Sequence, residues 1–554
     1  MSNLFKNLGF VTFGVVGLFL LMHWVVPRER VTTSTWEESA TNRRPDELEQ
    51  VVEEINAEFE KSWDDKNLQR APDAESMSLI RRVSLGLTGT IPSLEEIRKI
   101  QEMPESQRVN WWLNYILEDE RFADYFAERL ARAYVGVENG PFIVYRRRRF
   151  VHWLSDQILS NRPYDDLVRH LLTDEGLWTD SPAVNFVSVT ADSDDGNQLD
   201  PIRLAARTSR AFLALRVDCL QCHDDNLGTL NLGAEDELRG GTQQDFHQLA
   251  AFFSGVTSSL RGIQESEAPM EYRYRFLDAE QETVVPVSVP YRGDLLVAEG
   301  TRRERLSKWL THRENRPFAR AMVNRVWALL LGRPLVDPVD DLPLYGPFPP
   351  GLELLADDFV EHGYDLKRLI SVIARTTAFR RDSRADFDIT QAHELAWAVY
   401  PVTRLRPEQI AGAAIQSTSL RTINAKASGL ERLLRFGQEQ EFVQRYGDLG
   451  EDEFNLIGGT IPQRLIMMNG QLVSERTEPN DLLLNAPSQI ATLSPNDSTA
   501  VVTTYLAVLS RLPTRHEAEH FERRLSETRG DIRRDRLSDL YWVLINSSEF
   551  IWNH

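Results

Sequence analysis

The chain has 554 residues, of which 42% are hydrophobic and 26% charged, an ordinary globular composition that excludes a largely disordered protein. Asp and Glu outnumber Lys and Arg by 83 to 63, and the net charge of −20 predicts no nucleic-acid partner. Only two cysteines are present, which excludes a disulfide-rich scaffold. The length is sufficient for several hydrophobic cores.

The amino-terminal part contains an uncharged stretch over residues 8–27. As a helix, twenty residues would span about 30 Å, enough to cross the hydrocarbon core of a bilayer. The segment from Met22 to Pro27 offers no small-residue cleavage site, so we expect an uncleaved anchor and not a signal peptide. The alternative is a buried amino-terminal core helix. The sequence thus predicts a single-pass inner-membrane protein that contacts the membrane through residues 8–27 and keeps its body on the periplasmic, extracytoplasmic side.

The remainder of the chain has mostly helical hydrophobic periodicity. Residues 31–70 are polar and acidic and predict a stalk or a first surface helix. The helical repeats of the body fall at residues 105–134, 201–216, 305–310, 318–331 and 366–376. Asp200 is a candidate N-cap for the second of these helices, with Pro201 in its first turn. Residues 282–289 are rich in β-branched side chains and, together with residues 272–276, predict a small sheet.

These patterns define a fold class and a domain organisation. We predict a mainly α protein, with a multi-helical body in two parts, a small β insert between them and one transmembrane helix in front. The expected segments are an anchor (1–30), an acidic stalk (31–70), a first helical domain (71–262), the β insert (263–300) and a second helical domain (301–554).

The two cysteines stand in the motif Cys219-Leu220-Gln221-Cys222-His223. In c-type haem attachment, two cysteines at this spacing form thioether bonds with the two vinyl groups, and the adjacent histidine coordinates the iron. The same residues could instead form a zinc site with Asp225 or His247 as the fourth ligand. A disulfide or a purely structural turn is the third alternative. The motif predicts one covalent haem c per chain, with zinc as the alternative.

Two residues are candidates for the second axial position of the iron. His247 and Met270 are the nearest His or Met side chains downstream of the motif, and a Met/His pair would raise the reduction potential. Each also has a plainer interpretation, because His247 lies in an amphipathic helical pattern and Met270 in a polar loop. No Walker loop, dinucleotide fingerprint, nucleophile elbow or zincin motif occurs, so the sequence names no catalytic group. Whether the chain is an enzyme stays open.

Several motifs carry a resemblance to two domains that occur together. The segment from Met77 to Val256 resembles the planctomycete-specific cytochrome-type domain, a domain of unknown function. The segment after about residue 302 is similar to its companion, the planctomycete-specific domain. The resemblance rests on LIRRVSLGLTGTIP (79–92), RFAD (121–124), NRPYD (161–165), CLQCH (219–223) and DFHQLAAFF (245–253) in the first, and MVNRVW (322–327), GYDLKRL (363–369), RLRPEQ (404–409), IPQ (461–463) and NSSEF (546–550) in the second.

The resemblance implies an exported, often membrane-associated protein without an established reaction. Relatives usually continue the cysteine motif with His-Asp-His, whereas Asp225 stands here in place of the second histidine. We therefore expect a membrane-anchored c-type haem protein that transfers electrons at the cell envelope to a redox partner. The alternative is a surface-binding or structural protein, with a polysaccharide as one candidate partner, in which the motif holds zinc or a disulfide.

Overall fold

The structure, a computed structural model, is mainly helical. It describes residues 45–137, 145–191, 199–226, 228, 230–259, 261–266, 270–277, 279–423, 441–447, 450, 454, 459–479 and 485–554. Its first ten α-helices are α1 Pro45–Asp65, α2 Ser76–Thr88, α3 Leu94–Gln101, α4 Glu105–Leu117, α5 Glu120–Val135, α6 Arg147–Leu159, α7 Tyr164–Thr173, α8 Asn185–Ser188, α9 Pro201–Leu213 and α10 Gln243–Ala250.

The second half of the chain is also mostly helical. They are α11 Arg302–Leu310, α12 Arg316–Leu331, α13 Leu352–Glu361, α14 Leu366–Ile373, α15 Thr377–Arg380, α16 Gln391–Leu395, α17 Pro407–Ser417, α18 Ile461–Asn469, α19 Gln471–Thr477, α20 Ala486–Leu493, α21 Asp497–Leu509, α22 Arg515–Leu525 and α23 Gly530–Ile545. Short 3₁₀ turns lie at Pro182–Val184, Asp218–Gln221, Ala251–Phe253, Gly293–Leu295 and Glu549–Ile551.

The strands form small antiparallel pairs. They are β1 Asn231–Ala234 with β2 Glu237–Gly240, β3 Val256–Ser259 with β4 Gly262–Glu265, β5 Arg273–Tyr274 with β6 Thr283–Val284, and β7 Thr403–Arg404 with β8 Trp552–Asn553. Among the described strand pairs, β5–β6 alone lies wholly within the predicted β insert; β1–β2 precedes the insert, and β3–β4 reaches into it only with β4. Val285 extends the β5–β6 pair by one hydrogen bond from its backbone N–H to the Tyr272 carbonyl (2.8 Å), whereas Val289 is buried outside any described strand, so the β-branched run is longer than the sheet.

The predicted fold class requires one correction. Its helical character is observed, but none of the helices within the described ranges is both long and apolar enough to cross a membrane. The transmembrane helix is therefore removed from the fold class. The stretch on which it was predicted, residues 8–27, lies outside the described residues.

Helix α1 covers the second half of the segment predicted to be a stalk, and it packs into the body. Ile55, Phe59 and Trp63 recur every fourth residue and are fully buried, because this spacing places them on one face of the helix. The Phe59 ring stacks on Trp327 with ring centroids 5.8 Å apart. The Trp63 Nε1–H donates a hydrogen bond to the Ala396 carbonyl (2.7 Å). This helix is therefore a structural part of the body.

The two helical parts share one hydrophobic core. Helix α2 of the first part lies so close to α12 of the second that a Cβ at Gly86 would stand 3.3 Å from Leu330. Helix α9 also packs on α12, and a single cluster of buried apolar side chains extends from Leu48 to Phe454. A second cluster joins α17 to the carboxyl-terminal helices. The interface between the two parts therefore includes α2, α9 and α12.

Candidate functional site

The cysteine motif follows helix α9. The Asp200 side chain caps this helix by accepting hydrogen bonds from the backbone N–H groups of Ile202 (2.9 Å) and Arg203 (3.2 Å), as the sequence predicts. The helix ends at Leu213, three residues before the predicted end. Ala214 adopts a left-handed conformation (φ 50°) that redirects the chain, and a 3₁₀ turn then carries Cys219.

The side chains of the motif that could bind a cofactor are exposed, whereas the apolar side chain between the two cysteines is buried. Cys219, Cys222 and His223 are exposed, and both cysteines are free thiols. Leu220 between them is fully buried. Gly241 allows this burial, because a Cβ at that position would stand only 2.7 Å from the Leu220 side chain. The motif is thus an exposed loop, here called the cysteine loop (residues 218–226), anchored by one apolar side chain.

The carbonyl of Gln221 is the main polar attachment of the cysteine loop. It accepts hydrogen bonds from Gln243 Nε2 (2.9 Å), His247 Nε2 (3.1 Å) and the Tyr274 hydroxyl (3.3 Å). Gln243 and His247 are four residues apart on α10, so both side chains reach the carbonyl from one helix face. Three donors converging on one carbonyl hold the centre of the loop in place.

His247 lies behind the cysteine loop, where its side chain supports the Gln221 carbonyl. It is fully buried, and its ring stacks on Tyr274 with centroids 3.4 Å apart. Because Nε2 donates to the Gln221 carbonyl, Nδ1 must accept the hydrogen bond from the Tyr272 hydroxyl (2.9 Å). Both ring nitrogens therefore already have partners. This geometry favours the interpretation of His247 as a core histidine over its prediction as a metal ligand.

His223 has the opposite arrangement. Its side chain is exposed, and Nδ1 lies 2.8 Å from the Asp224 carbonyl oxygen, which can only accept. Nδ1 therefore carries the proton, and Nε2 of the neutral ring keeps a lone pair. No other residue in the described ranges makes a hydrogen bond or ion pair with Nε2. A backbone carbonyl that orients a histidine through Nδ1 is a usual support for metal ligation through Nε2.

The remaining candidate ligands are spread around the loop. The Asp225 carboxylate accepts a hydrogen bond from the Leu230 backbone N–H (2.6 Å) and closes the turn into β1. The Met270 side chain is 45% exposed, and the Met270 carbonyl accepts a hydrogen bond from the Ser254 hydroxyl (3.5 Å). Within the described ranges, no group of three or more His, Cys, Asp or Glu side chains is placed to hold a metal ion.

The cysteine thiols lie in an acidic environment. Burial raises the pKa of Cys219 above its ordinary value of 9.0, and the negative charge of Asp218 raises it further. The Cys219 thiol is consequently protonated at neutral pH. A redox-active cysteine pair needs the reverse, a lowered pKa that generates a thiolate. This electrostatic pattern argues against a reactive disulfide-exchange site.

The burial of His247 makes stability depend on pH. Burial lowers the pKa of His247 below its ordinary value of 6.5. The unfolded chain therefore takes up the proton more readily, and stability should fall as the pH drops below 6.5. The loss can reach at most about 1.4 kcal/mol for each pH unit below that value. Urea unfolding at several pH values between 7.5 and 5.5 measures it.

The matched variant for this prediction is His247→Gln. A glutamine amide can still donate to the Gln221 carbonyl, but it does not titrate in this range. The loss of stability between pH 7.5 and 5.5 should therefore be smaller in the variant than in the parent chain. Equal losses in both chains would show that His247 is not the group responsible.

The sequence prediction did not identify the hydrogen bonds that support the cysteine loop. Gln243 and His247 carried a usable signal, because their i, i+4 spacing in an amphipathic pattern places them side by side. Gln221 carried none, since its contribution is a backbone carbonyl that every residue possesses. The role of Tyr274 depends on the position of the β5–β6 pair against α10, which no local pattern specifies.

Comparison with known proteins identifies two family models along the chain. Residues 54–258, which include the cysteine loop, match the model PSCyt2, described as a protein of unknown function (DUF1549). Residues 302–441 match the model PSD1, described as a protein of unknown function (DUF1553). No curated protein and no solved structure matches the chain significantly. The chain therefore matches the models of the two domains of unknown function that its motifs resemble, PSCyt2 first and PSD1 second, in the expected order.

Proposed function

We propose that this chain is an exported c-type haem protein that transfers electrons at the cell envelope. Cys219 and Cys222 would hold one haem covalently and His223 would be the axial ligand. The observation that carries the proposal is the combination of two exposed free thiols with a neighbouring imidazole whose Nδ1–H is bonded to a carbonyl. Since this bond leaves the Nε2 lone pair of His223 available, the donor set fits a haem iron.

The state of the thiols also suits haem attachment. Each attachment adds a thiol S–H across a vinyl double bond: the sulfur bonds one carbon and the hydrogen ends on the other, so no oxidant is consumed. This addition requires reduced cysteines, and both are reduced here. When bound, the haem supplies the one-electron chemistry of its iron. Asp218 and Asp224 place negative charge on the cysteine loop itself and would favour the oxidised iron.

The test is covalent haem staining. The full chain is expressed with a c-type maturation system, and a denaturing gel is stained for haem peroxidase activity. We expect a stained band for the parent chain and none for the variant carrying Cys219→Ala and Cys222→Ala, because only thioether bonds survive denaturation. An unstained parent band that contains stoichiometric zinc would contradict the proposal and favour the structural-metal alternative. An unstained band without metal would contradict both.

A second variant tests the role of His223 separately from attachment. His223→Ala should keep the covalent haem but change the visible spectrum of the reduced protein, because an axial ligand is lost. His516→Ala replaces an exposed histidine on α22 and should leave the spectrum unchanged. Identical spectra for the parent chain and His223→Ala would remove His223 from the iron.

A further inference from the structure

A cavity of about 210 Å³ lies between α9 of the PSCyt2 domain and the segment of the PSD1 domain that begins at α12. Arginines dominate its described lining: Arg203, Arg207, Arg210, Arg216 and Arg325. Two carboxylates, Asp337 and Asp340, line it as well. Five cationic side chains thus face two anionic ones among the described lining residues.

One of the two carboxylates is fully engaged. Asp340 Oδ2 accepts hydrogen bonds from Arg210 Nε (3.0 Å) and Nη2 (2.8 Å), and its Oδ1 accepts from Arg216 Nε (3.1 Å) and Nη2 (2.7 Å). Burial raises the pKa of Asp340, but the two arginines outweigh burial and hold it below its ordinary value. Asp340 is therefore ionised and fixes two guanidinium groups at the wall of the cavity.

Arg325 has no such partner. Its side chain lies on α12, is only 6% exposed and lines the cavity. It forms no hydrogen bond or ion pair with any other residue in the described ranges. The groups near its charge include the hydroxyls of Tyr134 and Tyr164, which are hydrogen-bonded to each other (3.0 Å). Burial raises the pKa of both phenols, so they are neutral and cannot balance the guanidinium.

A buried arginine that forms no ion pair with a carboxylate of the described residues is costly, and proteins keep such groups where a ligand supplies a partner. We infer that this cavity binds an oxyanion, a phosphate or carboxylate group that pairs with Arg325 and contacts Arg207 and Arg203. The planar guanidinium fork matches both groups in bidentate geometry. The volume suits a small anion rather than a drug-sized ligand, whose pockets begin at about 300 Å³.

The oxyanion could come from two sources. It could be a free small anion, or it could be a propionate carboxylate of the haem proposed at Cys219 and Cys222. The cavity adjoins the cysteine loop, because its lining residue Arg216 precedes Cys219 by three residues and Arg210 lies 3.5 Å from the Asp218 carboxylate. Binding of an oxyanion at Arg325 does not require haem.

The experiment uses the full chain carrying Cys219→Ala and Cys222→Ala, which cannot attach haem. Inorganic phosphate is titrated against sodium chloride at equal ionic strength, and binding is followed by calorimetry and by the midpoint of thermal unfolding. We expect saturable binding of one phosphate and a rise in the unfolding temperature. Arg325→Met should weaken phosphate binding at least tenfold, and Arg203→Gln, an exposed position at the rim, by severalfold. Arg515→Gln, on the exposed face of α22, is the matched control and should not change binding.

The unfolding temperature of the arginine variants provides a second test. Without phosphate, Arg325→Met should unfold at the same or a higher temperature than its parent, because the removed charge is buried and forms no ion pair with a described residue. If this variant fails to fold, as judged by circular dichroism, Arg203→Gln and Arg207→Gln test the site instead. Absence of saturable phosphate or acetate binding by the folded haem-free chain, or unchanged binding in the arginine variants, would overturn the inference.

The haem-loaded parent chain separates the two sources. Loss of phosphate binding on haem attachment would assign the cavity to a haem propionate, whereas retained binding would assign it to a free anion. Either result supports an oxyanion site. Failure of haem attachment would contradict the proposed function but leave the phosphate titration unaffected.

Discussion

Glu408→Ala should lower the free energy of unfolding by about 3–5 kcal/mol, because it removes a buried carboxylate that pairs with two buried guanidinium groups. Glu408 Oε1 lies 2.6 Å from Arg129 Nη1 and 3.1 Å from Arg406 Nε. All three side chains are 10% exposed or less, so water cannot replace the lost carboxylate. Arg129 belongs to α5, in the segment that matches PSCyt2, and Glu408 to α17, in the segment that matches PSD1, so the variant also weakens the interface between the two segments. Urea unfolding measures the change.

Two variants serve as controls for this prediction. Glu408→Gln keeps the size of the side chain and removes its charge, and it should cause most of the same loss. Glu519→Ala breaks an exposed i, i+4 ion pair, in which the Glu519 side chain is 55% exposed and the Arg515 side chain 91% exposed. This variant should change the free energy of unfolding by less than about 0.5 kcal/mol. Similar losses for Glu408→Ala and Glu519→Ala would contradict the importance of burial.

Acid should remove the contribution of Glu408 in the same way. Burial raises the pKa of Glu408, but the charges of Arg129 and Arg406 outweigh burial and hold the pKa below its ordinary value of 4.5. Its contribution to stability is therefore complete above pH 4.5 and is lost as the pH falls through the pKa of the folded state. Glu408→Gln should flatten this part of the pH profile.

Arg82→Ala should destabilise the protein by about 4 kcal/mol or more, since it leaves three carbonyl groups without their donor. The fully buried Arg82 side chain donates through Nη1 to the carbonyls of Phe379 (2.9 Å) and Arg381 (2.7 Å), and through Nε to that of His554 (3.0 Å). Its guanidinium carbon lies 3.6 Å from the centre of the Tyr400 ring. Burial lowers the pKa of Arg82 to about 10, so it is still charged at pH 7. Chemical denaturation measures the loss.

Arg82→Lys separates charge from geometry in this prediction. Lysine keeps the positive charge but lacks the planar fork that reaches carbonyls on two sides, so an intermediate loss is expected. Arg523→Ala, at an exposed position of α22, is the control and should have little effect. A lysine variant as stable as the parent would show that charge alone matters at this position.

Hydrophobic periodicity and capping residues predicted the principal helices well. The break between α4 and α5 falls at Asp119, whose side chain accepts from the Arg121 backbone N–H, within the stretch predicted to be helical and interrupted by charge. Helix α12 ends at Gly332, in the left-handed conformation that favours glycine. These features are local, since a few neighbouring residues determine each of them. Each strand of the hairpins β1–β2 and β3–β4 has only four residues, which is too short for a clear alternation of apolar and polar side chains.

The candidate site was only partly predictable for the same reason. The spacing of Cys219, Cys222 and His223 is a local pattern, and the structure places all three on one exposed loop. The support of that loop by the Gln221 carbonyl and the approach of Arg325 to the arginines of α9 are contacts between distant segments. Such contacts depend on packing, which a single sequence does not reveal. The plainer interpretation of His247 required its hydrogen-bond partners, and these too come from elsewhere in the chain.

The common core of the two family segments limits how the chain can be divided. Leu87 on α2 and Leu330 on α12 belong to one buried cluster, although they lie in different family segments. A cut anywhere between residues 258 and 302 would expose the apolar faces of α2, α9 and α12 to water, and exposed apolar area on that scale promotes aggregation. Neither segment is therefore a module that can be transplanted alone. Fusion partners, truncation series and chimaeras should treat the pair as the smallest transferable unit.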